Sequence, residues 1–233
     1  MAEELVSAIV PDQLKPAFIA AEKEVKKYFS REERDVTKGI LTISGNRYLH
    51  MAASALTGAF RKKLADIMGD ESADAILYDL GKEWGKQDAK YYHKSMGLEN
   101  ATPDERLGPG PIIFNYQGIA FVHLLEGSHT SPDENYYLIY NHPHSFEMDT
   151  FVENYGKTSK KCVCVIGGGY STGWCSESYR IELDAVEITC RARGEDACLY
   201  IMAPPEKVRG YVEDYCKKHG LDHEKANFNV LTE

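Results

Sequence analysis

Two cysteines near the C-terminal end stand at a spacing that favours metal binding. The stretch from Glu187 to Cys198 has the pattern of two short strands that turn at Gly194. A hairpin centred on Gly194 places Cys190 directly opposite Cys198, and side chains paired in this way have Cβ atoms about 4.5–5.5 Å apart. Two thiolates at that separation can share one ion, and zinc prefers such soft ligands in a tetrahedron. The pair therefore indicates a zinc site, which does not by itself make the protein an enzyme.

The composition narrows the classes of protein to which the chain can belong. A net charge of −9, with the basic residues dispersed, argues against a general nucleic-acid binder. The sequence contains no run of about 18 apolar residues, so no membrane-spanning helix is predicted. The N-terminus lacks the basic start and apolar run of a secretory signal. We therefore expect a cytoplasmic protein with reduced cysteines. Six cysteines are also an even number, so a set of disulfides remains the alternative.

The cysteines must be positioned by the surrounding secondary structure. Predicted helices and strands follow one another along the chain without a regular βαβ order, which predicts an α+β fold. Apolar periodicity and caps predict helices over 16–29, 53–68, 70–96, 145–155, 164–181 and 205–219, with Asp70 and Ser145 as N-caps. Strands are predicted over 39–44, 48–51, 119–126 and 136–140. The charged stretch 30–35 is predicted as a loop or helix end, and the stretch 100–111, rich in Pro and Gly, as a loop.

The domain prediction is one unit with two appendages. Residues 1–35 form an N-terminal helical extension, residues 36–220 a small-molecule sensor domain with the zinc site, and residues 221–233 a tail. The helix from Pro16 to Phe29 carries an apolar stripe that something must cover, so we predict a homodimer through this extension. The alternative is that the stripe packs on its own domain.

Several blocks of the chain resemble one superfamily. These blocks are Gly39-Ile-Leu with Arg47, Gly58-Ala-Phe-Arg61, Gly81 with Gly85, Ser145-Phe-Glu147 and Gly169-Tyr-Ser-Thr-Gly173. They resemble the 4-vinyl reductase domain superfamily, and most closely the N-terminal sensor domain of bacterial activators of aromatic catabolism, the xylene- and phenol-responsive regulators. The resemblance covers residues 37–204. It implies a single domain in which helices flank an antiparallel sheet, like the nitric-oxide-signalling and Golgi-transport ligand-binding fold.

The resemblance also implies a complete ligand set for the metal. In the aromatic-sensing branch one Cys precedes the Gly-Tyr pair by five residues, and a Glu and two further Cys follow. The matching positions here are Cys164, Glu187, Cys190 and Cys198, which implies a structural zinc site. Glu187 and Cys190 are three apart, so on a regular strand they would face opposite sides. Either a bulge turns the chain or Glu187 precedes the strand, and a surface carboxylate is the alternative reading of Glu187.

The three remaining cysteines carry no chemistry in this interpretation. Cys162 and Cys175 are predicted to be small buried side chains, and Cys216 to be exposed or half-buried.

The predicted pocket differs from that of the relatives. In phenol-responding sensors a His and a Trp hold the phenol hydroxyl, and the matching positions here are Phe114 and His142. A ligand with a carboxylate or carbonyl near His142 is therefore expected to fit better than a neutral phenol. A protonated His142 would favour the carboxylate, with binding that weakens above pH ~6.5. The predicted ligand-binding residues are Phe114, Tyr116, Tyr140, His142, Gly168, Tyr170 and Trp174.

Two functions follow as hypotheses. The first is a stand-alone sensor domain that binds a small hydrophobic or aromatic molecule and acts through a regulatory protein partner. The second is an enzyme or accessory protein that acts on a tetrapyrrole or another hydrophobic substrate. No nucleophile, phosphate loop or dinucleotide fingerprint can be named, which favours the sensor.

Overall fold

A five-stranded sheet divides the core of this α+β domain into two parts. The computed structural model describes residues 5–231; the first four residues of the predicted extension and the last two of the predicted tail lie outside it. The sheet has the order β1-β5-β6-β8-β7, with β1 (Ala8–Ile9), β5 (Ala120–Leu124), β6 (Leu138–Ser145), β7 (Asp184–Thr189) and β8 (Leu199–Ala203). Strand β1 is parallel to β5 and the other pairs are antiparallel. A second sheet contains β2 (Glu32–Asp35), β3 (Ile40–Ile43) and β4 (Asn46–Tyr48).

Helices cover both faces of the larger sheet. They are α1 (Lys15–Phe29), α2 (Arg61–Met68), α3 (Asp70–Met96), α4 (Pro103–Leu107), α5 (Pro109–Tyr116), α6 (Phe146–Tyr155), α7 (Val165–Tyr179) and α8 (Pro205–His219). A π-helical turn, Ala55–Phe60, precedes α2. Alternating side chains of β6 and β8 point to opposite faces, as strand geometry requires. Leu138 and Tyr140 join the larger core with α7, whereas Ile139 and Ile201 pack with α8.

Four glycines let α3 and α7 cross in close contact. Gly81 and Gly85 of α3 face the backbone of α7, and Gly169 and Gly173 of α7 face the backbone of α3. A Cβ atom added at Gly169 would lie 2.1 Å from the carbonyl oxygen of Tyr78. The small residues of α7 therefore serve the close packing that glycine permits, at a cost in helix propensity.

Both predicted appendages pack onto the predicted domain. Strand β1 pairs with β5, and Phe18, Val25 and Tyr28 of α1 are buried in the larger core. The backbone amide of Asn227 donates to the carbonyl of Glu187, and Val230 packs with α3 and α7. The apolar stripe of α1 is thus covered by its own chain, so the homodimer stays a prediction without support from this helix.

Three local predictions are wrong. The segment 100–111 contains α4 and the start of α5, because Thr102 and Glu105 form a capping box ahead of the helical turn. The charged segment 30–35 contains β2, which pairs with β3 through the backbone. Asp70 is the first residue of α3 and makes no cap, whereas Ser145 caps α6 by accepting from the Met148 amide, as predicted. Among the described residues, no helix is long and apolar enough to cross a membrane.

Candidate metal centre and ligand cavity

The four predicted metal ligands meet at the N-terminal end of α7. Cys164 is the N-cap of α7, Glu187 lies in β7, Cys190 follows β7 and Cys198 precedes β8. All four are buried, and one donor atom from each lies within 4.8 Å of all the others. The Cys164 and Cys198 sulfurs are 3.8 Å apart, and those of Cys198 and Cys190 are 4.0 Å apart. Tetrahedral zinc with Zn–S bonds of about 2.3 Å needs sulfurs about 3.8 Å apart, so these residues fit the ion.

A bulge in β7 brings Glu187 and Cys190 to the same side. Glu187 pairs with Tyr200 but Thr189 pairs with Leu199, so the register shifts by one residue between them. The extra residue turns the chain and removes the objection based on strand alternation. The side chain of Glu187 is buried, which excludes the alternative of a surface carboxylate.

The carboxylate of Glu187 is only half satisfied. Its Oε2 accepts from the Cys164 amide at 3.1 Å, whereas its Oε1 is buried without a hydrogen-bond partner. Burial, followed by the neighbouring Cys190 thiolate, raises the pKa of Glu187 well above its usual range. Hydrogen bonds from the Cys162, Cys164 and Cys198 thiols lower the pKa of Cys190. The unpaired Oε1 of Glu187 lies among thiol groups, where a bound cation would satisfy it.

Three further elements hold the cluster in place. The carboxylate of Glu147 accepts from the Ile166 and Gly167 amides at 3.0 and 2.7 Å, and so occupies the N-terminal end of α7. Arg61 donates to the Val163 carbonyl at 2.8 Å and pairs with the buried Asp74 at 2.6 Å. The chain segment that enters α7 is therefore tied to α2, α3 and α6.

The predictions for the other three cysteines have different outcomes. Cys162 is buried as expected, and its thiol donates to the backbone carbonyl of Glu187, with sulfur and oxygen 3.5 Å apart. Cys175 is buried and lines the cavity described next. The prediction that Cys216 is exposed or half-buried is wrong, because α8 buries it against the sheet.

A small cavity lies between α5, α7 and the strands β5 and β6. Its volume is about 30 Å³. Its walls are uncharged: they are formed by Leu107, Gly110, Pro111, Phe114, Val122, Leu124, Leu138, Tyr140, Tyr170, Ser171, Trp174 and Cys175. The Phe114 ring stacks on Tyr170 with centroids 4.8 Å apart. Four of the predicted pocket residues, Phe114, Tyr140, Tyr170 and Trp174, therefore surround one cavity.

His142 lies directly behind this wall. Its ring centroid is 5.3 Å from that of Phe114 and 5.3 Å from that of Tyr140, and both of those rings line the cavity. The residue is fully buried, and neither ring nitrogen has a hydrogen-bond partner. Burial lowers the pKa of His142 to about 3, so the imidazole is neutral at physiological pH. The expected protonated His142, and with it the preference for a carboxylate and the loss of binding above pH ~6.5, is not supported.

Two predicted pocket residues lie elsewhere. Tyr116 packs on Phe29, with centroids 5.2 Å apart, and lines an outer cleft of about 740 Å³ with Tyr48 and Trp84. Gly168 faces the rings of Tyr200 and Tyr78 and does not line the cavity. The cavity-lining residues that were not predicted from the sequence are mainly aliphatic, such as Val122 and Leu138. In the sequence, an aliphatic residue that lines a cavity has the same periodicity as one in the ordinary core.

A second cleft shares part of its wall with the cavity. It has a volume of about 780 Å³ and shares Leu107, Leu124 and Leu138 with the cavity wall. Four acidic residues also line it: Glu24, Asp104, Glu105 and Glu126. None of the described residues that line this cleft is basic.

Comparisons with known proteins agree with the predicted resemblance. The family model described as "Activator of aromatic catabolism" matches residues 30–128, which ends before the cysteine cluster. The chain is 27% identical over 165 residues to the transcriptional regulatory protein XylR of Pseudomonas putida; the match covers 70% of this chain and 28% of that protein. The phenol-responsive sensory domain of the transcription activator PoxR, solved with phenol, shares the fold. The two structures superpose with a TM-score of 0.69, and their sequences are 22% identical. The match covers 88% of this chain and 98% of the PoxR domain. The resemblance to N-terminal sensor domains of activators of aromatic catabolism is therefore confirmed, as is the α+β fold.

Proposed function

We propose that this chain is a ligand-sensing domain that binds a small, neutral aromatic molecule in the cavity beside α7 and signals its presence to a regulatory partner. The observation that carries this proposal is the uncharged aromatic wall with an unpaired His142 immediately behind it. Apolar walls supply affinity, and a few polar groups orient the ligand. The similarity to sensor domains of activators of aromatic catabolism supports the same function.

The charges around the cavity favour a neutral ligand over a carboxylate. None of the described residues that line the cavity is cationic, His142 is neutral, and the neighbouring cleft of about 780 Å³ carries four carboxylates. A carboxylate would lose its hydration without gaining a counter-charge, which is costly in an apolar site. This conclusion replaces the carboxylate ligand predicted from the sequence.

The volume of the cavity requires a side chain to move when an aromatic ring enters. A cavity that holds benzene in another protein measures about 150 Å³, whereas this one measures about 30 Å³. Phe114 separates the cavity from His142, since its ring contacts both. Rotation of Phe114 would enlarge the cavity and bring His142 within reach of a ligand hydroxyl, for which either ring nitrogen offers a partner.

Calorimetric titration of toluene tests this proposal. In Phe114→Ala the cavity is larger without any movement, so toluene should bind at least as tightly as in the wild type. Phe151→Ala, which truncates a phenylalanine on α6 outside the cavity, is the matched control and should not change the affinity. Toluene that binds neither the wild type nor Phe114→Ala would refute the proposed cavity.

We further propose that the four-residue cluster holds a structural zinc ion. Cys164, Glu187, Cys190 and Cys198 would supply all four ligands, which leaves no position for a reactive water. The bound ion would offset the charge of the buried thiolates and tie the hairpin of β7 and β8 to α7. Elemental analysis of the purified protein should find about one zinc per chain, and its absence together with a Cys190–Cys198 disulfide would contradict this role.

A further inference from the structure

The outer cleft of about 740 Å³ contains a carboxylate that lacks a counter-charge. Asp88 of α3 lines this cleft and is 8% exposed. Its Oδ2 accepts from the side-chain amide of Gln117 at 2.6 Å and from the hydroxyl of Tyr170 at 2.9 Å. Among the described residues, no basic side chain forms an ion pair with Asp88. A carboxylate that is buried in this way is usually paired, because it has lost most of its hydration.

A second acceptor lies beside Asp88. Gln117 gives its amide nitrogen to Asp88, while its Oε1 is buried without a hydrogen-bond partner. Gln117 lines the same cleft. The other acidic and basic residues of the lining, Glu32, Arg47 and His50, are exposed, and the Arg47 guanidinium donates to a backbone carbonyl at 2.7 Å. The buried polar groups of the cleft therefore call for a ligand that donates several hydrogen bonds.

Aromatic rings form the wall next to these acceptors. Trp84 precedes Asp88 by four residues on α3, so the two side chains lie on one face of the helix. Tyr48 and Tyr116 also line the cleft, and Tyr116 is adjacent to Gln117 in sequence. The faces of Trp and Tyr rings attract cations, and the attraction grows when water is excluded. An organic cation can therefore be held by the carboxylate and by the rings together.

We propose that the outer cleft is a second binding site, which takes a small organic ammonium ion with an apolar body. The ammonium group would lie against Asp88 and Gln117, where its three N–H donors meet acceptors. The apolar body would lie on Trp84 and the neighbouring rings. A metal ion fits less well, because one carboxylate and one amide oxygen fall short of the oxygen ligands that calcium or magnesium requires. The described linings of the outer cleft and the inner cavity share no residue, so this inference does not rest on the proposed aromatic ligand.

Calorimetric titration of 2-phenylethylammonium and of 2-phenylethanol into the full chain tests this site, because the two compounds share a carbon skeleton and only the first is charged. The wild type should bind the ammonium roughly 10–100-fold more tightly, as a hydrogen bond between charged groups implies. Asp88→Asn keeps the size of the side chain and removes its charge, so this preference should disappear. Asp79→Asn changes an exposed carboxylate of the same helix outside the cleft, and this control should keep the preference.

Equal affinity of the wild type for both compounds, or a preference that survives Asp88→Asn, would overturn the proposal. Should Asp88→Asn fail to fold, Gln117→Leu gives an independent result: it should weaken binding of the ammonium and spare the alcohol, and unchanged ammonium binding would count against the site. Phe114→Ala locates the ammonium, since Phe114 lines the inner cavity and not the outer cleft. Unchanged affinity in this variant is expected. Tighter ammonium binding would place the compound in the inner cavity and contradict the outer site, while toluene still tests the inner cavity separately.

Discussion

The candidate metal centre and the inner cavity both rest on α7, yet their polar atoms are satisfied to different degrees. At the candidate metal centre the thiols hydrogen-bond one another and Oε2 of Glu187 accepts from the Cys164 amide, which leaves Oε1 of Glu187 as the buried atom that the proposed ion would satisfy. Behind the cavity wall, both nitrogens of His142 are buried without partners. A cluster with mutual contacts stabilises the fold, whereas an unpaired group lowers stability and is satisfied only when a ligand arrives. The two regions should therefore respond to substitution in opposite directions.

Removal of one metal ligand should have the largest effect on stability. Cys198→Ala would leave the proposed ion with three ligands and so remove much of its contribution to folding. We expect the midpoint of thermal unfolding to fall by ~10 °C or more for a chain of this size. Cys216→Ala removes an equally buried thiol from the other side of the sheet and should cost much less. Equal losses in the two variants, measured by calorimetry, would contradict a role for the ion in stability.

Separation of α7 from α3 should have the next largest effect, because it disturbs both regions together. A Cβ atom at Gly173 would lie 1.9 Å from the Lys82 carbonyl oxygen, so Gly173→Ala forces the two helices apart. We expect a loss of about 3 kcal/mol in the free energy of unfolding. Gly210→Ala on α8 meets no atom within 4 Å and should gain up to ~1 kcal/mol from helix propensity. Denaturant titration of both variants gives the comparison, and a tolerated Gly173→Ala would refute the close crossing.

A smaller change of opposite sign is expected at His142. His142→Leu removes two unpaired polar atoms from a fully buried site, so the ligand-free protein should gain about 1 kcal/mol in stability. The same variant should bind phenol roughly tenfold more weakly, since one hydrogen bond to the ligand is lost, while its affinity for toluene stays unchanged. Unfolding and binding are measured on the same preparation. A less stable variant, or one that loses both ligands equally, would show that His142 serves packing alone.

The contrast between the two regions also explains what the sequence could predict. Cys190 and Cys198 lie in one hairpin, so their pairing follows from local geometry. Cys164 is distant in sequence and was predicted as a ligand only through the family resemblance. The cavity is built by five elements spread from Leu107 in α4 to Cys175 in α7, and its aliphatic walls have the same pattern as the ordinary core. The protonation of His142 was mispredicted for the same reason: its neutral form depends on complete burial, which a position near the end of a predicted strand does not reveal. Likewise, the stripe of α1 has a partner within the chain that periodicity cannot identify.

The most direct test of the neutral aromatic ligand is a paired titration of phenol and benzoate into the wild type. The two compounds share a ring and differ in charge. None of the described residues that line the cavity has a group that titrates near neutral pH, since burial raises the pKa of the Cys175 thiol to about 12. Calorimetry at pH 5.5 and at pH 8 should therefore show phenol binding with the same affinity at both values. At pH 8, where benzoate is fully ionised, it should bind at least 100-fold more weakly than phenol, as expected on the order of 3 kcal/mol for an unpaired charge in an apolar site. Benzoate that binds as tightly as phenol at pH 8, or phenol that binds more tightly at the lower pH, would contradict the account.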